Sequence, residues 1–387
     1  MLKSVTLKNY TTFIEKTTFD FKATNYKILE DTNVGENRIL KGALFVGENA
    51  SGKTQFLDSI VFLLNLLLEN SEQNYFLKKS LYSNGIKFDL SYTFDIKGND
   101  IKYDVSFEAN NIYSEKLYVN NEQKLDRNKN VGETNFGEKK INNNINSNLS
   151  LLKLEYYNTK FNNDLILNEW FDFLKKSLYI NCLLRRTKIF NSNPDMIEEQ
   201  SIDKYAEKGD ATKINKILSK LDYNSEVVFD KQAFNKDKTF VIESKDEMIG
   251  LKKKNTDIIV PLKFESNGNQ SFINLILPIN FATKNNCMII IDEFSSGLHN
   301  ELEEALIRYF FNNSKNSQLF FTSHSTNLLD TAILRPDQIY SFKFDSKHGT
   351  LIKRFSDENP RESQNIEKMY LNGVFDGMPE YNKEFKG

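Results

Sequence analysis

The period of the apolar positions changes along the chain, and each change marks an element. Residues 4–7 and 17–21 alternate as short strands, and Ala43-Leu44-Phe45-Val46 forms a compact apolar strand that runs straight into glycine. Behind Lys53, the residues Phe56, Ile60, Leu63, Leu64, Leu67 and Leu68 recur at helical spacing, the face a helix lays on a sheet. Alternation returns in Phe88, Leu90, Tyr92, Phe94 and Ile96, in Tyr103, Val105 and Phe107, and over 112–119. Gly98-Asn99-Asp100 supplies a turn, so an antiparallel meander is predicted.

Residues 120–148 are dense in Asn, Lys, Glu and Gly with few apolar anchors, and read as a loop or the tip of an insertion. Over 151–221 the period turns helical. Trp170, Phe171, Phe173, Leu174 and Leu178 fall in one segment and Tyr205, Ile214, Ile217, Leu218 and Leu221 in another, which predicts an inserted helical subdomain. Mixed short strands follow, then an apolar helix through Leu275 and Leu277. Two further buried strands, Met288-Ile289-Ile290-Ile291 and Gln318-Leu319-Phe320-Phe321, are separated by helical sequence. Together with 43–46 they predict a mostly parallel sheet covered on both faces, with ligands at the carboxyl ends of its strands. The expected organisation is an α/β head with lobes 1–119 and 261–387, divided by a loop and helical insertion over 120–260.

Composition narrows the partners. Across 387 residues, 39% hydrophobic and 27% charged positions describe a globular chain, and 51 Lys plus Arg nearly balance 53 Asp plus Glu. Bulk charge therefore favours neither nucleic acid nor an anionic membrane, and either contact would need a local patch. Cys182 and Cys287 lack metal-ligand spacing and read as structural. The alternating N-terminus has no signal-peptide core, and the best apolar run, 60–68, is broken by Asn65 and too short to span a bilayer. A soluble, cytoplasmic protein is expected.

The chemistry concentrates at three strand ends. Gly47-Glu48-Asn49-Ala50-Ser51-Gly52-Lys53-Thr54 is a full G-x-x-x-x-G-K-[ST] between a predicted strand and a predicted helix, the context of a P-loop. Glycines let successive N–H groups curl around phosphates, Lys53 meets the β- and γ-phosphates, and Thr54 offers a hydroxyl to Mg²⁺. Candidate ATP contacts are Gly47, Asn49, Ser51, Gly52, Lys53, Thr54 and Gln55. Asp292 is the second candidate for the metal shell, and Glu293 the candidate general base toward an attacking water. His324, past the third strand, would hydrogen-bond the γ-phosphate. Ser266-Asn267-Gly268-Asn269-Gln270, ahead of a helix, is a second phosphate-binding device, whose natural use is a nucleotide held by another copy of the chain. Each has a plainer alternative: a helix-capping Asp-Glu pair, a loop histidine, an ordinary capped helix start. His299 belongs with the segment after the acids, and His348, beside Gly349, with a turn.

In this order the motifs resemble an ABC-type ATPase head of the SMC and OLD-like group, and more narrowly the RloA/AbiL-type AAA-annotated ATPases of bacterial phage-defence operons. Leu7-Lys8-Asn9-Tyr10 with Phe13 and Phe19-Asp20-Phe21 resembles their opening, residues 47–54 their Walker A, and Glu265-Ser266-Asn267-Gly268 their signature motif. Asp292-Glu293-Phe294 with Leu298-His299 resembles Walker B and D-loop, and Thr322-Ser323-His324-Ser325 the H-loop. Arg335-Pro336-Asp337-Gln338-Ile339-Tyr340 and Tyr370-Leu371-Asn372-Gly373-Val374-Phe375 with Pro379 match the narrower group. The resemblance implies an ATP sandwich in a homodimer or higher homo-oligomer, in which Ser266 and Gly268 of one copy cover the nucleotide at Lys53 and Thr54 of the other. Two departures stand out: the arginine usual near Thr11-Thr12 is absent, and Asn269 replaces a threonine or glycine. Only 63 residues follow His324, too few for the nuclease domain of OLD proteins. The implied role is a phage-defence sensor controlling a separately encoded effector; the alternative is an SMC-like ATPase acting directly on DNA. Basic clusters at Lys175-Lys176, Arg185-Arg186-Lys188 and Lys252-Lys253-Lys254 support the second, although such runs are usually solvated faces.

Overall fold

A computed structural model describes residues 1–69, 74–190, 196–197, 200–229 and 249–378; Pro379 lies outside them. The chain opens with strands β1 (Leu2–Lys8) and β2 (Thr17–Asp20) and reaches the glycine-rich loop through β3 (Gly42–Gly47), which feeds helix α1 (Lys53–Leu68). The meander follows as β4 (Lys87–Ile96), β5 (Asn99–Glu108) and β6 (Asn111–Val119).

The stretch expected as a loop does not end the sheet. Residues 122–142 add β7 (Glu122–Asn128), β8 (Val131–Asn135) and β9 (Lys139–Asn142), giving an eight-stranded sheet of order β2-β1-β4-β5-β6-β7-β8-β9. Asn120 and Asn121 at φ 50° and 67° turn the chain into β7, a conformation that asparagine tolerates. The apolar signal is weak because a polar pair anchors these strands. Arg127 and Glu115 are fully buried, 3.4 Å apart, with Arg127 also donating to Lys129 O (2.7 Å), Asn146 O (2.9 Å) and Leu149 O. Glu115 accepts from Tyr103 Oη (2.8 Å) and from the N–H of Leu151 (2.8 Å). Arg127→Ala strands the Glu115 charge, so a loss of about 3–5 kcal/mol in unfolding free energy is expected in denaturant titration. A loss below about 1 kcal/mol, the range of exposed pairs, would refute this account.

Helices α2 (Leu151–Thr159) and α3 (Leu165–Lys175) pack on the meander, with Trp170 buried 5.4 Å from Phe94, centroid to centroid. Leu178, read as helical, instead opens strand β10 (Leu178–Asn181), which pairs with β11 (Arg186–Ile189). A four-residue apolar run carries no decisive period; here the edge of the central sheet selects the strand. Then come α4 (Ile202–Lys208), α5 (Thr212–Lys220) and a small sheet of β12 (Ser225–Phe229), β13 (Ile249–Lys253) and β14 (Ile259–Pro261). After α6 (Asn267–Asn285) the chain completes the central sheet through β15 (Met288–Asp292), α7 (Asn300–Asn313), β16 (Gln318–Thr322), β17 (Ile339–Asp345) and β18 (Gly349–Arg354).

That sheet has the order β11-β10-β15-β16-β3-β17-β18, with parallel pairing from β10 to β17 and antiparallel edges. Its two faces feed separate cores: Phe45 packs toward α1 and the meander, Leu44 toward α6 and α7. Helix α1 lies between both sheets, which is why Leu57, Phe62 and Leu66 are buried beside the predicted apolar face. Register pairs Asn181 with Asp292, Ile291 with Phe321 and Thr322 with Phe45, so the carboxyl ends of β10, β15, β16 and β3 come level.

Candidate nucleotide site at the strand ends

The glycine positions of the loop are dictated by what surrounds them. Gly52 has φ +110°, and a Cβ there would lie 2.4 Å from Thr350 Oγ1 and 2.8 Å from Thr12 Oγ1; one on Gly47 (φ +140°) would lie 2.3 Å from Phe342 O. The backbone can thus curl into an anion cradle where a side chain would block it. Lys53 is 6% exposed, and its Nζ donates to Gly47 O (2.9 Å) and Glu48 O (2.7 Å). Burial holds its pKa below the usual lysine value, against the attraction of Glu293, Asp292 and Glu48. Ser51 Oγ donates to Glu48 O (2.8 Å), Asn49 stands exposed at the loop tip, and Gln55 is half-buried in the first turn of α1.

Thr54 Oγ1 lies 3.1 and 3.2 Å from the two carboxylate oxygens of Asp292, joining the ends of α1 and β15. Asp292, 2% exposed, also accepts from Thr322 Oγ1 (2.7 Å) and Asn181 Nδ2 (3.2 Å). Burial pushes its carboxyl above the usual range while the Thr322 and Thr54 bonds pull it back. A hydroxyl and a carboxylate beside a backbone cradle and an ammonium are a hard-oxygen donor set that fits Mg²⁺ on a triphosphate. When bound, the ion neutralises phosphate charge; Thr54 and Asp292 would hold it.

Glu293 breaks from the strand at φ 56°, a conformation costing on the order of 1–3 kcal/mol for such a residue. Its N–H donates to Thr322 Oγ1 (2.8 Å) and its Oε2 lies 3.5 Å from His324 Nε2. The bond to His324 keeps its carboxyl below the usual range against desolvation, with help from the charges of His324 and Lys53. His324 is placed by a bond from its N–H to Ser295 Oγ (3.2 Å), and next to it Ser325 Oγ donates to buried Glu303 (3.0 Å). Lys53, Thr54, Asp292, Glu293 and His324 therefore meet at one place.

Ser266 and Gly268 stand apart. Ser266 Oγ accepts from Asn269 N–H (3.2 Å) as the cap of α6, and a Cβ on Gly268 would lie 2.5 Å from Gly297 O. Among the described residues no hydrogen bond joins either to Lys53, Thr54, Glu293 or His324. Asn269 is held by Tyr223 Oη (2.9 Å) and Glu265 Oε2 (2.7 Å), so it serves local structure. His299 caps α7, accepting from Glu301 N–H (3.4 Å), and His348 lies 2.9 Å from Glu15 in the β17–β18 turn. Burial pushes both cysteine thiols up to about 12, in keeping with structural roles. Sequence reasoning assigned no role to Thr322 and overlooked Asn181. Thr322 had a signal, as a hydroxyl ending a buried strand; Asn181 had none.

Fold and site together are those of an AAA-type ATPase domain. A family model described as "AAA domain, putative AbiEii toxin, Type IV TA system" matches residues 43–330, and the chain belongs to that family. Among solved structures, an SMC head bound to the C-winged helix domain of ScpA is similar with TM-score 0.52 and 12% identity, over 92% of this chain and 99% of that one. The SMC head domain from Thermotoga maritima is similar with TM-score 0.50 and 15% identity, over 91% and 97%. At these identities the likeness is one of fold. No curated protein matches the sequence. Among the described residues no helix is long and apolar enough to cross a membrane.

Proposed function

We propose that the protein binds and hydrolyses Mg-ATP between two facing copies and uses this cycle in the cytoplasm to control a separately encoded effector, a nuclease or other toxin, in anti-phage defence. The observation that carries the reading is the division of the phosphate-binding parts. Thr54 is bonded to Asp292 beside Lys53, Glu293 and His324, whereas the capped start of α6, with Ser266 and Gly268, packs on the Gly297 turn. A second copy supplies the missing cover. Lys53 exchanges the Gly47 and Glu48 carbonyls for phosphate oxygens, Glu293 stays ionised and takes a proton from water, and His324 orients Glu293 and the γ-phosphate. The toxin–antitoxin description of the family and the resemblance to RloA/AbiL-type ATPases support the defence role, with phage infection as trigger.

The test is expression with the chromosomal neighbours, comparing wild type with Glu293→Gln for co-purifying protein and protection against phage. Protection that needs both a bound neighbour and Glu293 is the expected result; a protein that purifies alone and protects nothing would overturn the defence role. Direct action on DNA is the second reading, favoured by the likeness to SMC heads. Against it, part of the basic charge is already paired with carboxylates: Lys188 with Glu69 (3.6 Å), Lys252 with Asp257 (3.3 Å) and Lys254 with Asp222 (3.9 Å). Steeply salt-dependent DNA binding by the isolated protein would establish it.

A further inference from the structure

The turn of the β10–β11 hairpin makes contacts on two sides that no motif explains. Where β10 enters the turn, Asn181 Nδ2 donates to Asp292 Oδ2 (3.2 Å), and Cys182 N–H donates to Asp292 O (3.0 Å). Asn181 Oδ1 accepts from Leu184 N–H (2.8 Å), so the amide that touches the carboxylate also fixes the turn. At the tip Arg185, at φ 50°, reaches the first turn of α6, with Nη2 donating to Asn267 Oδ1 (2.7 Å) and Nη1 to Gln270 Oε1 (3.3 Å). Asn267 lies between Ser266 and Gly268.

Between hairpin and helix lies a cavity of about 340 Å³, lined among others by Asn181, Arg185, Gln200, Gln270 and Asn274. Gln200 is 6% exposed, and among the described residues its Oε1 has no hydrogen-bond partner. The hairpin and α6 are therefore not close-packed here, so a small relative shift disturbs little packing, and Arg185 spans the gap.

We infer that Arg185 is a positioning residue through which the β10–β11 hairpin transmits the bonding state of Asp292 to the signature turn of α6. The inference rests on the ATP sandwich proposed above. Asp292 now serves three side-chain donors, Thr54, Thr322 and Asn181. Uptake of one oxygen in a metal shell redistributes these bonds, because Thr54 and Thr322 share Oδ1 while Thr54 and Asn181 share Oδ2. Asn181 is the donor whose other end is tied to a turn, so its rotation moves Leu184 and Arg185. The guanidinium carries that shift to Asn267 and so to Ser266 and Gly268, the groups offered to the facing copy. Occupancy of one site thereby prepares the surface that completes the other.

The test uses the full chain in a Glu293→Gln background, so that nucleotide is not consumed. ATP-dependent dimerisation is followed by light scattering, ATP affinity of the monomer by titration with a fluorescent analogue, and stability by thermal unfolding. Arg185→Ala is expected to weaken ATP-dependent dimerisation roughly ten-fold, within the ordinary range of coupling between sites, with monomer affinity and unfolding temperature unchanged. Arg185→Lys recovers part of the loss, because one ammonium cannot serve both amides. Asn267→Ala removes the bridge from the helix side and must reproduce the defect, even if Arg185→Ala fails to fold. Asn181→Ala combined with Arg185→Ala should be no worse than the stronger single change. Dimerisation of Arg185→Ala and Asn267→Ala at wild-type strength, or additive losses for Asn181 and Arg185, overturns the inference while leaving the sandwich intact. An Arg185-intact protein that binds ATP yet stays monomeric overturns both.

Discussion

Glu293→Gln is expected to lower the hydrolysis rate at saturating ATP by about 10²- to 10⁴-fold, the usual contribution of a positioned general base, and to leave ATP affinity near that of wild type. Glutamine preserves the size of the side chain and its place after β15, but an amide cannot take a proton from water. It also ends the carboxylate contact with His324, 3.5 Å away. The binding parts are elsewhere: Lys53, the loop glycines and the Thr54–Asp292 pair are untouched. Bound ATP should then persist and the dimer accumulate. Steady-state phosphate release and equilibrium titration separate the outcomes; a variant that still hydrolyses within ten-fold of wild type would remove Glu293 from the chemistry. Because His324 and Lys53 hold its carboxyl below the usual range, loss of activity on acidification is not set by Glu293. Asp292, with its carboxyl raised by burial, gains a proton first as pH falls, so apparent Mg²⁺ affinity should decline at a higher pH than an ordinary carboxylate would give.

Thr322→Val should cost about 10- to 100-fold in Mg²⁺ affinity or turnover, the usual scale for a group that orients a metal ligand. One hydroxyl does two tasks here: it donates to Asp292 Oδ1 at 2.7 Å and accepts the Glu293 N–H at 2.8 Å. Valine has the same shape, so packing survives while both bonds vanish. The buried Asp292 oxygen loses a donor, which raises its pKa further, and the Glu293 N–H loses the acceptor that helps hold the residue at φ 56°. The Mg²⁺ dependence of hydrolysis should move to higher concentration, and its acid limb toward neutral pH. Thr322→Ser keeps the hydroxyl and should restore most of both. A Thr322→Val protein with wild-type Mg²⁺ dependence would show that Asp292 is placed by its strand alone.

The legible parts of this molecule are those whose chemistry is local. The P-loop reads directly because a cradle of N–H groups needs glycines at fixed spacing, with the lysine and hydroxyl at the start of the following helix. Strands β3, β15 and β16 read as uninterrupted apolar runs because both faces of a central parallel sheet are covered. Where the core is polar the reading failed: β7 to β9 are anchored by Arg127 against Glu115, and a buried ion pair resembles a surface one in sequence. It failed again at β10, where Leu178 continues an apolar helical segment and only pairing with β15 makes it a strand.

By itself, then, the sequence singled out the P-loop, the apolar strands β3, β15 and β16, and Lys53, Thr54, Asp292, Glu293 and His324 as the candidate site. Each of these follows from short-range rules linking residue type to backbone. Tertiary structure alone decided which groups surround them: Thr322 shared between two acids, Asn181 against Asp292, Arg185 across to the signature turn. Those contacts join residues 29 to 111 positions apart, and sheet register, which no local period encodes, brings them within hydrogen-bonding distance.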